Sequence, residues 1–188
     1  MQRNLTRPLI ATVASLFIAL SASALTIGAP DRTFDITPAT SGVFGNSNNV
    51  GASDVGAAFG GTWTNAGERT SVGTDGSLTV GLLAGSFGSG DANGTWSINP
   101  AFWSTYGSAV ISVHVGQGGG DPDYWMFQLP ANTLAGTWAY DIISGGGGGL
   151  SNIKLWGSGT AQVPDGGSTI ALLGLGLTLL AIARRKLS

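Results

Sequence analysis

Residues 111–142 read ISVHVGQGGGDPDYWMFQLPANTLAGTWAYDI, and their pattern decides the fold. Ile111, Val113 and Val115 alternate with Ser112 and His114. Trp125, Phe127 and Leu129 alternate with Met126 and Gln128, and Trp138, Tyr140 and Ile142 alternate with Thr137, Ala139 and Asp141. Successive side chains of a strand point to opposite faces, so each run carries one apolar face and reads as a half-buried β-strand. The breaks are rich in glycine, at Gly116 to Asp123 and again at Gly145 to Gly149, which favours turns and loops over helical crossovers.

The same alternation continues outward from this stretch. Leu78, Val80 and Leu82 form another apolar set, Phe34 and Ile36 a shorter one, and Ile153 with Leu155 a last one. The spacing predicts an all-β domain over residues 25–162, an antiparallel β-sandwich or jelly roll. One short helical turn is expected around Pro100 to Tyr106, and no long helix. Gly-Thr-Trp recurs at residues 61–63, 94–96 and 136–138, and each copy reads as a glycine releasing a turn before Thr and Trp start a strand. The intervals are unequal, so no repeat architecture follows.

Both ends of the chain differ from this domain. Arg3 and Arg7 precede an apolar run from Leu9 to Leu20 and the small residues Ser21 to Ala24, the order of a signal peptide over residues 1–24. Ala22 and Ala24 stand where signal peptidase reads, and cleavage is expected after Ala24. At the other end, residues 163–188 read VPDGGSTIALLGLGLTLLAIARRKLS. Thr169 to Ala183 holds no charge and no proline, so residues 169–183 can form a single transmembrane helix with its backbone satisfied internally. Its length of roughly 22 Å falls short of the ~30 Å hydrocarbon core, which makes it a marginal span. Arg184, Arg185 and Lys186, in the basic tail 184–188, resist translocation, which leaves the tail cytoplasmic and the domain outside. Before the helix, Pro164 biases Val163 toward an extended backbone, Asp165 and Gly166 favour a turn, and Ser168 can cap the helix.

Val163, Pro164, Asp165, Gly166, Gly167 and Ser168, followed by an apolar helix and an Arg-Arg-Lys end, resemble the VPDSG type of PEP-CTERM sorting domain. Gly167 departs from that pattern by standing where the family has Ser. The resemblance implies that an exosortase-like membrane enzyme recognises and processes residues 163–188, after which the protein passes to the cell surface or extracellular polysaccharide. The domain is similar, less specifically, to the end of such substrates in ISVHVGQGGGDPDYWMFQLP, GTWAYD and GLSNIKLWG, where a lysine is often expected at the place of His114.

Chemistry in the domain is sparse. Between the two terminal segments stand three basic residues, Arg32, Arg69 and Lys154, against nine acidic ones from Asp31 to Asp141, a net charge of −6. That balance excludes a nucleic-acid partner, which requires a basic footprint. With no cysteine and one histidine, His114, neither a thiolate nor a multi-histidine metal site can be assembled, and no cofactor is expected. His114 falls on the polar face of its strand and reads as a solvated surface residue rather than a member of a Ser-His-Asp triad. Asp121 and Asp123 could hold calcium weakly, although a solvated acidic turn is the plainer reading. Trp156 lies opposite Ile153 and Leu155 by parity, and Trp103 lies in a loop, so these two are the candidates for exposure and glycan stacking.

The sequence therefore leads to an exported exosortase substrate without enzymatic activity, with a structural or interaction role at the cell surface. A secreted carbohydrate-binding module is the alternative, and an extracellular hydrolase the third. The partners expected are signal peptidase, an exosortase-like enzyme, the membrane in transit and extracellular polysaccharide.

Overall fold

The computed structural model of the 188-residue chain describes residues 23–28, 30–116, 120–145, 148–161 and 184. The expected signal peptide up to Ala22, the sorting motif at 163–168, the apolar helix at 169–183, and Arg185 and Lys186 lie outside the described residues. Among those described, no helix is long and apolar enough to cross a membrane.

The strands run β1 (Leu25–Gly28), β2 (Arg32–Thr37), β3 (Ser41–Gly45), then a helix α1 (Ala52–Phe59), β4 (Trp63–Arg69), β5 (Gly73–Asp75), β6 (Leu78–Ser86) and β7 (Ser89–Ile98). A 3₁₀ turn at Pro100–Ser104 leads to β8 (Ser108–Val115), β9 (Tyr124–Gln128), β10 (Ala135–Ile142) and β11 (Leu150–Ser158). They form two sheets, ordered β1-β2-β10-β7-β6-β5 and β3-β9-β8-β11-β4. Every pairing is antiparallel, so the domain is the expected all-β sandwich. The stretch that decides the fold spans both layers: β8 and β9 pair in one sheet, and the chain crosses after Leu129 to place β10 in the other.

The alternating apolar faces meet between the sheets. Phe34, Ile36, Leu78, Val80, Trp96, Ile111, Val113, Trp125, Phe127, Trp138, Tyr140, Ile153 and Leu155 share one buried cluster. Phe34 sits at its centre, its ring 5.6 Å from Trp125, 6.0 Å from Phe127 and 6.1 Å from Trp138. Large rings bury much apolar area per residue, which suits a chain that has no cysteine and so no disulfide to supplement its core. The 3₁₀ turn closes one end: Asn99 Oδ1 accepts from Ala101 N–H at 3.0 Å and Phe102 is buried.

Two of the Gly-Thr-Trp copies do not start strands. Gly94 lies within β7 and Gly136 is the second residue of β10, and the two copies face each other, with Thr137 opposite Thr95, Gly136 opposite Trp96 and Trp138 opposite Gly94. A Cβ on Gly94 would come within 2.7 Å of the Trp138 ring, and one on Gly136 within 2.6 Å of the Trp96 ring. The glycines therefore make room for indoles lying across the neighbouring strand, a use of glycine in sheets that removes the cost of an unfilled position. The first copy follows the sequence reading, with Gly61 at φ +74 just before β4.

Helix α1 is the element that periodicity did not indicate. Its sequence ASDVGAAF is weakly helical, with an internal glycine. The Asp54 carboxylate accepts from the Gly51 N–H at 2.8 Å, Val55 is buried, and Gly60 at φ +74 ends the helix. Packing of Val55, rather than propensity, holds these residues helical. With Val50, the helix covers the outer face of the five-stranded sheet and makes a second buried cluster with Trp63, Val110, Met126 and Trp156.

Candidate functional site

That second cluster corrects two expectations. Trp156 is 4% exposed, and its Nε1 donates to Ser112 Oγ at 2.8 Å. It faces away from Ile153 and Leu155, as parity requires, but the far face of this sheet is covered. His114, on the same face, is 7% exposed instead of solvated, and among the described residues neither ring nitrogen has a well-aligned hydrogen bond. Burial lowers its pKa from 6.5, partly offset by Asp123 and the Ser47 backbone. Trp103 is half-buried, edge-on to Phe102 at 5.1 Å, with Nε1 donating to the Thr133 carbonyl at 2.9 Å. Trp156 therefore offers no open face for stacking on a sugar, whereas Trp103 remains partly exposed.

Two of the domain's three cations are also buried. Arg32 is fully buried, its Nη1 donating to the Pro122 carbonyl at 3.3 Å and standing 3.7 Å from Asp123 Oδ1. Asp123 is thereby committed to an arginine. Asp31 accepts from Ser144 Oγ at 2.7 Å and from the Asp121 N–H at 3.0 Å, bonds that hold its carboxyl below the usual value. Among the described residues no cluster of three potential metal ligands forms.

Lys154 is 5% exposed on the covered face. Its Nζ donates to Asn49 Oδ1 at 2.8 Å and to the Val50 carbonyl at 3.3 Å, and lies 3.5 Å from Glu68 Oε1. Strand pairing sets Lys154 directly opposite Glu68 on β4 and Ser112 on β8. Sequence reading did not single out Lys154, Asn49 or Glu68 as a group, because 105 residues separate Asn49 from its partner.

The open face belongs to the six-stranded sheet. Pairing sets Thr37, Thr137, Thr95 and Gly81 in one row, and Asp35, Ala139 and Asn93 in the next. A groove of about 320 Å³ runs over them, bordered by exposed Leu83 and by Ala24, the residue expected to precede the signal-peptidase cut. Its lining of short hydroxyl, amide and carboxylate groups could donate to and accept from hydroxyls of a bound molecule. Asp141, on this face, has its pKa raised by burial, then by Asp91 and Asp35.

No curated protein and no solved structure matches this chain significantly. The sequence-family comparison is informative only at the C-terminus. The family model for the VPDSG-CTERM motif matches residues 162–187, so this chain ends in a sorting domain of the VPDSG-CTERM, PEP-CTERM type.

Proposed function

We propose that this protein is an exported exosortase substrate, held briefly in the membrane by residues 169–183 and delivered to the cell surface or extracellular polysaccharide matrix in a structural or interaction role. The observation that carries this reading is the sorting motif at residues 162–187. The order of that tail supports it: a Pro-Asp-Gly motif, a short apolar stretch and three cations suit temporary retention before cutting. A non-catalytic role fits the burial of the domain's sole histidine, His114, which is 7% exposed beside the Ser47 backbone. Mass spectrometry of the C-terminal peptide from surface-released protein, in cells with and without an exosortase, tests the proposal. Termini within the tail only when the enzyme is present are expected; Ser188 retained in both strains overturns it.

A second reading, glycan binding, rests on the groove of the six-stranded sheet rather than on tryptophan. Binding on a glycan array that is lost in Asn93→Ala and Thr137→Ala, but kept in Trp103→Ala, would favour it.

A further inference from the structure

We propose that Lys154 and Asn49 join in an isopeptide bond that the folded chain forms by itself, with Glu68 moving the protons. An amine and an amide are held within hydrogen-bond reach of each other. Lys154 Nζ is 2.8 Å from Asn49 Oδ1, and the same oxygen accepts from the Val50 N–H at 2.9 Å. Two donors on one carbonyl oxygen polarise its carbon toward attack, and the Val50 N–H remains in place to hold the oxyanion that attack creates. The Glu68 carboxylate stands 3.5 Å from the nucleophile, on the adjoining strand. Lys154 is 5% exposed, its Nζ also donating to the Val50 carbonyl at 3.3 Å and lying 5.9 Å from the Trp156 ring centre. The buried lysine is held against the amide by fixed neighbours, which replace a bimolecular encounter by an intramolecular one.

The step balances without a co-reactant. The Lys154 ammonium gives a proton to Glu68, and the amine forms a bond to Asn49 Cγ. A second proton passes from the attacking nitrogen to the departing amide nitrogen, whose bond to Cγ breaks. Ammonia leaves and takes the proton back from Glu68, so ammonium and a Lys154–Asn49 amide are the products. Nothing is oxidised or reduced. The product would tie the loop before α1 to β11 across 105 residues in a chain with no cysteine. A cross-link closing so long a segment constrains the unfolded chain as a disulfide does.

Tryptic mapping of the full chain after export decides the matter. The chain has lysine only at 154 and 186, and trypsin does not cut after an acylated lysine. The expected product is the peptide 33–69 joined to a peptide that begins at Thr70 and runs uncut through Lys154, lighter than the sum by one ammonia. A succinimide at an asparagine also loses ammonia but joins no second peptide. The joined pair should be absent in Lys154→Arg and in Asn49→Ala, the latter altering an exposed residue, and reduced at least tenfold in Glu68→Gln. Separate 33–69 peptide and normal cleavage after Lys154 in folded wild-type protein would overturn the proposal, as would an undiminished pair in Asn49→Ala.

Discussion

The indole of Trp96 lies across Gly136 on the adjoining strand, its Nε1 donating to the Thr137 carbonyl at 3.2 Å. Trp138 repeats the arrangement over Gly94, with Nε1 donating to the Thr95 carbonyl at 3.2 Å. The pair Thr95 and Thr137 forms the centre of this reciprocal contact. Each indole thereby satisfies its one donor at the strand backbone while its ring fills the place of a missing side chain.

A methyl group at either glycine should displace the opposing ring. At Gly136 it would meet the Thr37 carbonyl oxygen as well as Trp96, and at Gly94 the Gly81 carbonyl oxygen as well as Trp138. Overpacking of this kind costs about 1–3 kcal/mol. Gly136→Ala and Gly94→Ala should each lower the urea midpoint accordingly, with the double variant losing less than the sum because both act on one contact pair. Midpoints unchanged in both single variants would refute the arrangement.

His114 should make stability depend on pH. Its folded pKa lies below the ordinary 6.5, so between the two values the unfolded chain holds a proton that the folded chain does not. Stability therefore falls as pH drops below 6.5 and is regained above it. His114→Gln should flatten this slope in unfolding curves taken from about pH 5 to about pH 8. An identical slope in the variant would show that the imidazole titrates freely.

Asp141 carries the opposite sign. Its raised pKa means that the folded state holds the proton more tightly, so its contribution is full below 3.8 and is lost as pH rises through the folded value. Asp141→Asn should therefore stabilise the protein at neutral pH and lose that advantage in acid. Because the residue is exposed, the gain is at most about 0.5 kcal/mol and should shrink in high salt. Thermal unfolding at two ionic strengths checks both statements.

Trp156→Phe keeps a ring in the second cluster but strands the Ser112 hydroxyl, which is 1% exposed. An unsatisfied buried polar group costs about 1–3 kcal/mol, and that loss is expected in denaturant unfolding. If Trp156 were instead a surface residue for ligand contact, stability would be unchanged.

Period-two alternation located the core faces of β2, β6, β8, β9, β10 and β11, because strand geometry imposes it residue by residue. Pro100 and its neighbours likewise carried their 3₁₀ turn in local sequence. The same parity misled at Trp156 and His114. It tells which side of the sheet a residue faces, and not whether that side meets water. Only the placement of Val50 and α1 over the five-stranded sheet made that face a second core.

The terminal segment is the converse case. A sorting signal is recognised as a linear string, so Val163 to Ser168, an apolar run and Arg184 to Lys186 were legible without any tertiary structure, and the motif match at 162–187 rests on sequence alone. The relation of Lys154 to Asn49 and Glu68 was not legible at all. Those residues carry no local pattern, and only the docking of the 46–51 loop onto β11 and β4 brings an amine, an amide and a carboxylate within reach. Sequence thus determined the strands and the tail, which depend on neighbours along the chain; tertiary structure decided which faces are dry and which distant side chains meet, because burial and proximity depend on neighbours in space.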